Sequence, residues 1–296
     1  MVLTQLSDVD FTLSELPFME PARNVVMTST DHFEITYVIN PHMAGNIGDV
    51  NTQIAKKQWQ ELHDAFVSLG FNVDVVYGMP GQPDMVFCAN QTLPFLQKNG
   101  QRGAVLSKMY APQRAGEVLH YERYFEEQGW DIIDDIFKGD IEFEGMGDAL
   151  WHVGKRLLWG GHGFRTDISV YDLISRRLET PVLALVLDDP EFYHLDTCLC
   201  ILDSETALIY PDAFKKEGLE LIHHFFPRVI EAPKNEAREL FACNAHCPDG
   251  KNVIIQRGCE VTNGLLRDLE FNVVEVDTDE FLKSGGSVFC MKLMTW

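Results

Sequence analysis

The stretch PVLALVLDDPEFYHLDTCLCILDSETALIY, residues 181–210, carries the pattern from which we infer the fold. Its apolar run at 181–187 is typical of a buried strand, and a polar segment around His194 follows that run. Two further strand-like runs come next, at 197–202 and 207–210. Short strands that end in polar residues able to do chemistry are therefore the recurring element of this chain.

Outward from this stretch, the same succession of strands and helices recurs five times. In the first unit, a strand at 24–28 precedes a helix at 51–69, and strands at 72–77 and 84–88 follow. Further elements are predicted at 103–109, 116–128, 130–133, 141–151, 157–160, 168–177, 213–225, 228–232, 253–256, 260–269, 272–276 and 287–293. Units of about 60 residues are typical of propellers and repeat arrays. A closed five-fold α/β arrangement around one central pocket is predicted, and a plain layered α/β fold is the alternative.

Composition and charge narrow the class of protein. Of 296 residues, 46% are hydrophobic and 23% are charged, which is typical of a globular protein with a large core. We interpret residues 1–296 as a single domain whose first residues, roughly 20 of them, form an irregular extension. The formal charge of −21 argues against nucleic acid as a partner and favours a cationic small molecule.

The chain shows no sign of membrane insertion or of secretion. No run approaches the roughly 18–20 apolar residues of a membrane span, and the N-terminus lacks the basic start of a signal peptide. The seven cysteines are an odd number, so they cannot all pair with one another. These features predict a cytoplasmic protein with free thiols.

One segment, ACNAHC, has residues with the chemistry of metal ligands. It contains Cys243, His246 and Cys247, and Cys259 follows within reach in the sequence. No second Cys/His pair follows at the spacing of a zinc finger. We therefore predict that the protein holds no metal.

Two segments combine an imidazole with several carboxylates. His194 and Asp196 stand two residues apart, and on a strand that spacing places both side chains on one face. In FEGMGD, residues 143–148, two glycines allow a tight backbone that brings Glu144 and Asp148 near one site. The two segments together supply an acid–base group and anionic binding groups.

A cysteine close to the end of the sequence completes the candidate site. Cys290 follows the glycine turn of SGGSVFC, residues 284–290, and a fourth polar segment, PDMVFCAN, occupies 83–90. A thiol needs a nearby cation to ionise at neutral pH. A surplus of carboxylates around a thiol suits a guanidinium ion, which is planar and permanently charged and binds carboxylates through forked hydrogen bonds.

These segments resemble the guanidine-modifying enzymes of the pentein fold, in the arginine dihydrolase and dimethylarginine dimethylaminohydrolase-like branch. The resemblance covers most of the chain and rests on several motifs together. They are HFEITYVINP at 32–41, FEGMGD at 143–148, GFRT at 163–166, HLDT at 194–197 and GGSVFC at 285–290. Deiminases usually have one residue fewer between the two acids of the second motif. The resemblance implies a five-bladed pseudo-symmetric α/β propeller with its active site in a central channel.

The resemblance also implies catalytic roles for the residues that match the family's motifs. Cys290 would attack the guanidinium carbon, and His194 would protonate the departing amine and then activate water. Glu144 would bind the guanidinium and orient His194, and Asp196 would hold the guanidinium from its other edge.

Four further residues would bind the substrate. Arg165 would clasp a substrate carboxylate, with a structural ion pair as the alternative, and Asp148 would bind substrate or stabilise its own turn. Asn40 and Asn90 would line the pocket. Deiminases place an aspartate where this chain has Asn90, whereas the dihydrolase branch places an asparagine.

The predicted reaction is hydrolysis of the guanidino group of L-arginine through a covalent thiouronium on Cys290, which gives ornithine, ammonia and CO₂. The alternatives are release of citrulline by a dimethylarginine dimethylaminohydrolase or an arginine deiminase, amidino transfer to an amine, and binding of a guanidino ligand without catalysis. No cofactor is expected. The expected partner is a small guanidino substrate, arginine or methylarginine, with no nucleic acid and no membrane, and a homo-oligomer is left open.

Overall fold

The computed structural model describes residues 1–135, 139 and 141–296, and in them strands alternate with helices. The strands are β1 (Val2–Leu3), β2 (Asn24–Thr28), β3 (Asn72–Val76), β4 (Thr92–Leu96), β5 (Arg102–Leu106), β6 (Asp131–Ile133), β7 (Ala149–Trp151), β8 (Leu158–His162), β9 (Val182–Val186), β10 (Leu199–Ile201), β11 (Thr206–Ile209), β12 (Arg228–Glu231), β13 (Asn252–Gln256), β14 (Asn272–Val276) and β15 (Leu293–Thr295). The α-helices are α1 (Thr52–Ser68), α2 (Val118–Glu127), α3 (Gly145–Asp148), α4 (Ile168–Leu178), α5 (Lys216–Phe225), α6 (Lys234–Glu239), α7 (Glu260–Asp268) and α8 (Asp279–Leu282). Short 3₁₀ helices lie at Leu6–Asp8, Leu13–Glu15, Pro41–Met43, Pro83–Val86, Pro112–Glu117, Leu195–Thr197, Pro211–Ala213 and Ala242–Asn244.

The strands pair into five sheets that share one topology. The first sheet contains β15, β2 and β3, the second β4 to β6, the third β7 to β9 with β1 at its edge, the fourth β10 to β12, and the fifth β13 and β14. In the first four sheets an antiparallel pair of strands is followed by a parallel pair. In the fifth, an antiparallel bridge between His246 and Ile254 takes the place of the first pair. The observed unit is strand–strand–helix–strand. It is the same succession of elements as the predicted strand–helix–strand–strand, but it begins one strand earlier.

Within each unit, a helix joins the two strands of the parallel pair and packs one face on the sheet, whereas the edge pair of β1 and β9 is not joined in this way. In α1, Trp59, Leu62 and Phe66 recur at helical spacing and are buried. The Asn51 side chain caps this helix by accepting a hydrogen bond from a first-turn amide at 3.1 Å. Gly70 follows the helix with φ +86, a left-handed conformation that glycine adopts without strain. Within the described part of the chain, no helix has the length and apolarity needed to cross a membrane.

Neighbouring sheets contact one another in the order of the chain. β15 of the first sheet packs against β4 of the second, and α3 contacts β4 as well as β7 and β8 of the third. The Leu195–Thr197 turn connects β7 and β8 to β10, and the Ala242–Asn244 turn connects β10 to β13. Helix α1 packs against β14, so the fifth sheet contacts the first.

A single buried cluster passes through all five sheets. It contains Val26, Leu93, Trp159, Leu199 and Val253, one residue from a strand of each sheet. Burial of apolar side chains is the main favourable term in folding. The sheets therefore pack around one shared core, which holds the turns between them in place.

Three segments predicted as strands are wholly or partly turns. The segment at 84–88 lies mostly in the 3₁₀ helix Pro83–Val86, because a proline at the first position favours a helical turn. The segment at 141–151 contains α3, and its pairing is limited to β7 and an isolated antiparallel bridge from Phe143 to Lys108. The segment at 287–293 is a turn up to the start of β15. These turns are rich in apolar residues because they are buried, so their composition is similar to that of a buried strand.

Other differences are smaller. His194 and Asp196 belong to the Leu195–Thr197 turn, so the prediction that they share the face of a strand was wrong. The prediction missed β4, whose sequence contains Pro94. The helix predicted at 116–128 begins as the 3₁₀ helix Pro112–Glu117 and continues as α2. The N-terminal residues, expected as an irregular extension, include β1, which pairs in parallel with β9.

Gly145 occupies a position that only glycine fits, since its φ is +49 and a Cβ atom there would lie 2.5 Å from the carbonyl oxygen of Thr92. Gly145→Ala should lower the free energy of unfolding by about 2 kcal/mol. Gly264→Ala is the matched control, because a Cβ in that part of α7 would meet no atom within 4 Å. The control should raise the free energy of unfolding by about 0.5–1 kcal/mol. Urea unfolding of both variants measures the difference, and equal effects would contradict the analysis.

Candidate active site

The candidate site is built from turns that occupy equivalent places in the five units. Each turn immediately precedes the first strand of its sheet, or the bridge that replaces that strand in the fifth. Asn90 precedes β4, Glu144 precedes α3 and β7, His194 precedes β10, Asn244 precedes the bridge at His246, and Cys290 precedes β15. Residues far apart in the sequence therefore meet because their positions in the repeat correspond.

The thiol of Cys290 is held between two polar side chains. Its Sγ donates to Oδ2 of Asp196 at 3.1 Å and accepts from Nδ2 of Asn244 at 3.2 Å. Oδ1 of Asn244 accepts from the backbone amides of Ser287 at 2.9 Å and of Cys290 at 3.3 Å. Burial and the Asp196 carboxylate raise the pKa of the Cys290 thiol well above its ordinary value. The thiol of the ligand-free protein is therefore protonated.

Asp196 is a buried carboxylate with one free oxygen. Its Oδ1 atom has no hydrogen-bond partner among the residues that the structure describes. Burial raises the pKa of Asp196 to about 7, and the hydrogen bond from Cys290 opposes that rise. A cation bound at Oδ1 would stabilise the carboxylate and the neighbouring thiolate together.

The imidazole of His194 is oriented by Glu144. Nε2 of His194 lies 2.7 Å from Oε2 of Glu144, and Nη1 of Arg165 donates to the same oxygen at 3.1 Å. Oε1 accepts from the backbone amide of Tyr110 at 3.0 Å. Burial raises the pKa of Glu144, but the Arg165 charge and the His194 hydrogen bond outweigh burial and hold that pKa down at about 2. Glu144 is therefore ionised at neutral pH.

Asp148 and Thr166 connect the acidic-glycine segment to the His194 turn. Thr166 Oγ1 donates to Oδ2 of Asp148 at 2.7 Å and accepts from the amide of Glu144 at 3.1 Å. Oδ1 of Asp148 accepts from the amide of Leu195 at 3.0 Å. Burial raises the pKa of Asp148 to about 6. Both oxygens thus bond protein groups, an arrangement that stabilises the turn.

Two cavities differ in size and in chemistry. The larger, of ≈ 960 Å³, has a mainly apolar lining that includes Leu150, Trp151 and Trp296. The smaller, of ≈ 260 Å³, is lined by Cys290 and Asn90 among others. Because the smaller cavity combines the thiol with charged and amide groups, we assign it as the substrate cavity.

Asn90 presents an unused donor at this cavity. Its Oδ1 accepts from Nη1 of Arg114 at 2.8 Å, and its Nδ2 has no hydrogen-bond partner among the described residues. A Cβ built on Gly147 would lie 2.4 Å from this Nδ2 and 3.2 Å from Nδ1 of His194. Gly147 therefore allows Asn90 and His194 to approach each other.

Asn40 and Arg165 line the cavity and bond the protein. Oδ1 of Asn40 caps the Pro41–Met43 turn, and its Nδ2 donates to the carbonyl of Ser284 at 3.0 Å. Besides its bond to Glu144, Arg165 donates to the carbonyl of Ile39 at 2.7 Å, and its guanidinium lies 4.7 Å from the ring centroid of Tyr193. The structural ion pair, left open by the sequence, is present in the structure.

The sequence analysis missed three functional candidates. Asn244 lies in ACNAHC, a segment whose cysteine and histidine residues suggested a metal site instead. Arg114 lies in no recognisable motif. Asp84 lies within the polar segment at 83–90 and lines the cavity, where the Ser284 hydroxyl donates to its Oδ1 at 3.2 Å and the Tyr37 hydroxyl interacts with its carboxyl group. As for metals, the described residues contain no cluster of three or more His, Cys, Asp or Glu side chains arranged to hold an ion.

Comparison with known proteins gives a consistent set of relatives. A family model described as N,N dimethylarginine dimethylhydrolase, eukaryotic, matches residues 34–294. The bifunctional arginine dihydrolase/ornithine cyclodeaminase ArgZ of Synechocystis sp. is 37% identical over 273 residues, which are 91% of this chain and 37% of ArgZ. The N(G),N(G)-dimethylarginine dimethylaminohydrolase of Mycobacterium tuberculosis is 37% identical over 271 residues, which are 92% of this chain and 85% of that protein.

A solved structure extends the similarity to three dimensions. It is the crystal structure of the N-terminal domain of an ArgZ variant covalently bound to a reaction intermediate. The TM-score is 0.84 at 35% identity, with 93% of this chain and 98% of that domain covered. The chain therefore spans 37% of the length of ArgZ and corresponds to its N-terminal domain.

Glu144→Gln removes the negative charge from the Glu144–Arg165 pair and should lower the free energy of unfolding by about 3 kcal/mol, because a buried guanidinium is left uncompensated. Glu142→Gln is the matched control two residues away, and its effect should stay within about 0.5 kcal/mol because that side chain is partly exposed. Urea unfolding at neutral pH measures both. A stability loss in the control as large as that in Glu144→Gln would contradict the assigned ion pair.

Proposed function

The chain belongs to the N,N-dimethylarginine dimethylhydrolase family of guanidine hydrolases, and on this premise we propose that it acts as an arginine dihydrolase. In the proposed reaction, L-arginine and two water molecules give ornithine, carbon dioxide and two ammonia. The observation that carries the proposal is the free amide donor of Asn90 in the cavity that contains Cys290. The identity to the dihydrolase ArgZ supports the same assignment.

The proposed mechanism requires one channel where all the turns meet. We propose that the five sheets are the blades of a pseudo-symmetric α/β propeller around that channel. The repeated topology and the contacts from the fifth sheet back to the first support this arrangement. The corresponding places of the site residues in the five units support it as well.

In the first step, the substrate itself ionises the nucleophile. The guanidinium donates to the free Oδ1 of Asp196, and its positive charge lowers the pKa of the adjacent thiol. The thiol proton passes to His194, and Sγ of Cys290 bonds to the guanidinium carbon. His194 then gives the proton to the leaving nitrogen, so ammonia departs and a thiouronium remains on Cys290.

In the second step, water releases the intermediate. His194 takes a proton from the water as the oxygen bonds to the thiouronium carbon. The carbon–sulfur bond then breaks, the departing thiolate of Cys290 takes that proton back from His194, and the hydroxyl proton of the product passes to solvent. Glu144 stabilises the imidazolium that forms, because its carboxylate lies 2.7 Å from Nε2 of His194. The product of this first hydrolysis is citrulline.

Asn90 decides whether citrulline stays for a second hydrolysis. A carboxylate at this position would repel the carbonyl oxygen of the neutral ureido group, whereas Nδ2 of Asn90 can donate to that oxygen. Arg114 occupies one lone pair of Oδ1 and keeps the amide group in this orientation. The second attack by Cys290 then releases ammonia and leaves a thiocarbamate, whose hydrolysis gives ornithine and carbon dioxide.

Charged groups at the cavity suit the amino-acid end of the substrate. We propose that the carboxylate of Asp84 binds the α-ammonium and that Arg165 and Arg114, although each is paired with a carboxylate, contact the α-carboxylate directly through their N–H groups. Asn40 shapes the cavity through its bond to Ser284. Asp148 acts on substrate only through the turn that it braces.

Hydrolysis of methylated arginine to citrulline is the second candidate function. The M. tuberculosis dimethylarginine dimethylaminohydrolase favours it, because this chain covers 85% of that protein. In this reaction the first hydrolysis is the same and a methylated amine leaves instead of ammonia. The fate of citrulline separates the two functions.

Cellular location and cofactor use stay predictions. All seven cysteines are unpaired in the structure, which supports a cytoplasmic location. In the proposed mechanism every proton transfer and bond change is assigned to the protein, the substrate or water, so no cofactor is required.

Cys290→Ala should reduce turnover of arginine by at least about a thousandfold, because the covalent step loses its nucleophile. Cys259→Ala is the matched control: it removes another buried thiol, which lies at the start of α7, and should keep activity. Ammonia release and the unfolding midpoint are measured for both. Full activity of Cys290→Ala would exclude the covalent mechanism.

Asn90→Asp should shift the product from ornithine toward citrulline, because one repulsion replaces one hydrogen bond. A change of roughly 1–3 kcal/mol corresponds to about a tenfold to hundredfold shorter retention of citrulline. Amino-acid analysis measures the ratio of the two products, and Asn99→Asp in an exposed loop is the control. Stoichiometric citrulline without ornithine from the unmutated protein would favour the second candidate function.

A further inference from the structure

Lys292 is a buried cation without a hydrogen-bond partner. It follows Cys290 by two residues, its exposed fraction is 0%, and its Nζ lies 3.0 Å from the ring centroid of Phe289. This Nζ makes no hydrogen bond with any of the described residues. Lysine is almost never fully buried unless it is paired. The mechanism proposed above does not use this side chain.

The groups around Lys292 are those of the nucleophile and its surroundings. Electrostatic partners of its ammonium are Asp196, Cys88, Cys200 and Cys290. Burial lowers the pKa of Lys292 to about 7, and these four groups raise it.

His246 also faces Lys292, and burial lowers the pKa of His246 well below its ordinary value, so it adds no positive charge at neutral pH. Around Cys290 itself, the facing groups are Asp196, Asn244 and Tyr193. Of these groups, Lys292 is the one that can carry a positive charge before the thiol ionises, since His194 gains its charge only when it takes the thiol proton.

The other buried cations near the site are already neutralised. Arg165 pairs with Glu144 at 3.1 Å, and Arg114 pairs with Glu117 at 2.8 Å. An ion pair presents little net charge to its surroundings, since its two charges largely cancel at a distance. In the described structure, Lys292 is therefore the buried cation whose charge is free to act on Cys290.

We propose that Lys292 is a positioning residue whose ammonium stabilises the Cys290 thiolate when the bound substrate is the neutral ureido group of citrulline. The inference rests on the proposed dihydrolase function and extends it. Arginine brings its own positive charge to the thiol, and citrulline brings none. The Asp196 carboxylate opposes ionisation of the thiol in both cases, so the second hydrolysis is favoured by a protein cation that is present before the proton moves to His194.

Lys292 undergoes no chemical change in the second attack by Cys290. The thiol proton passes to His194, as in the first hydrolysis, and Sγ of Cys290 bonds to the ureido carbon. His194 returns the proton to the leaving nitrogen, and ammonia departs. The ammonium of Lys292 keeps its proton throughout and acts only through its field.

Lys292→Met and Lys292→Gln remove the charge while they keep most of the side-chain volume. The first test alkylates the ligand-free enzyme with two reagents of similar shape, neutral 2-chloroacetamide and cationic 2-chloroacetamidine, over a range of pH. Loss of the ammonium should slow the neutral reagent by about tenfold at neutral pH, which corresponds to a shift of about one pKa unit of the thiol. The cationic reagent supplies its own charge and should be slowed much less.

Arg156→Met is the matched control for loss of a buried cation. Arg156 is 4% exposed and donates to the carbonyl of Leu96 away from the substrate cavity. Its replacement should leave the ratio of the two alkylation rates unchanged. Lys292→Arg, which restores a positive charge, should restore the rate of the neutral reagent in part.

The second test compares substrates. In Lys292→Met, kcat/KM for citrulline should fall about tenfold more than kcat/KM for arginine, and the pH profile for citrulline should move to higher pH. Equal losses for both substrates, or equal losses with both alkylating reagents, would show a merely structural role and overturn the proposal. If the unmutated enzyme does not hydrolyse citrulline, the proposed function fails, and the alkylation rates decide separately whether Lys292 controls the thiol.

Discussion

A single buried carboxylate, that of Glu144, orients both the imidazole of His194 and the guanidinium of Arg165. Its Oε2 atom receives both Nε2 of His194 at 2.7 Å and Nη1 of Arg165 at 3.1 Å. All three side chains are buried, so the carboxylate of Glu144 and the guanidinium of Arg165 are tolerated only because each lies beside the other. The orientation of the imidazole and the position of the guanidinium over Tyr193 both depend on this interaction.

The buried charges near the thiol of Cys290 differ in whether they have a partner of opposite charge. Arg114 is neutralised by Glu117, and it uses its remaining donor to orient Asn90. Asp196 has an oxygen without a hydrogen bond, and Lys292 has an ammonium without one. Both charges interact electrostatically with the thiol of Cys290. Unpaired buried charges destabilise a fold. The partners proposed above are a substrate guanidinium for Asp196 and the thiolate of Cys290 for Lys292.

The repeat explains how these residues meet. Every sheet contributes to the site the turn that precedes its first strand or bridge. Segments that are distant in the sequence therefore come into contact because they occupy the same position in each unit. The sequence predicted these turns as functional segments from their polar and reactive residues, but it predicted the wrong secondary structure for three of them. Residues 84–88, 141–151 and 287–293 were predicted as strands because buried turns have an apolar composition. The resemblance to guanidine hydrolases did not depend on that error and is confirmed by the match over residues 34–294.

The sequence by itself determined the alternation of strands and helices and the residue types of the candidate site, from which a cationic substrate was predicted. Those properties are local, because periodicity and residue type are read along the chain. Only the tertiary structure decided that Asn244 holds Cys290, that Asp148 uses both oxygens within the protein, and that the ammonium of Lys292 has no partner. These facts depend on distances between segments that lie many residues apart, and such distances are set by how the sheets pack.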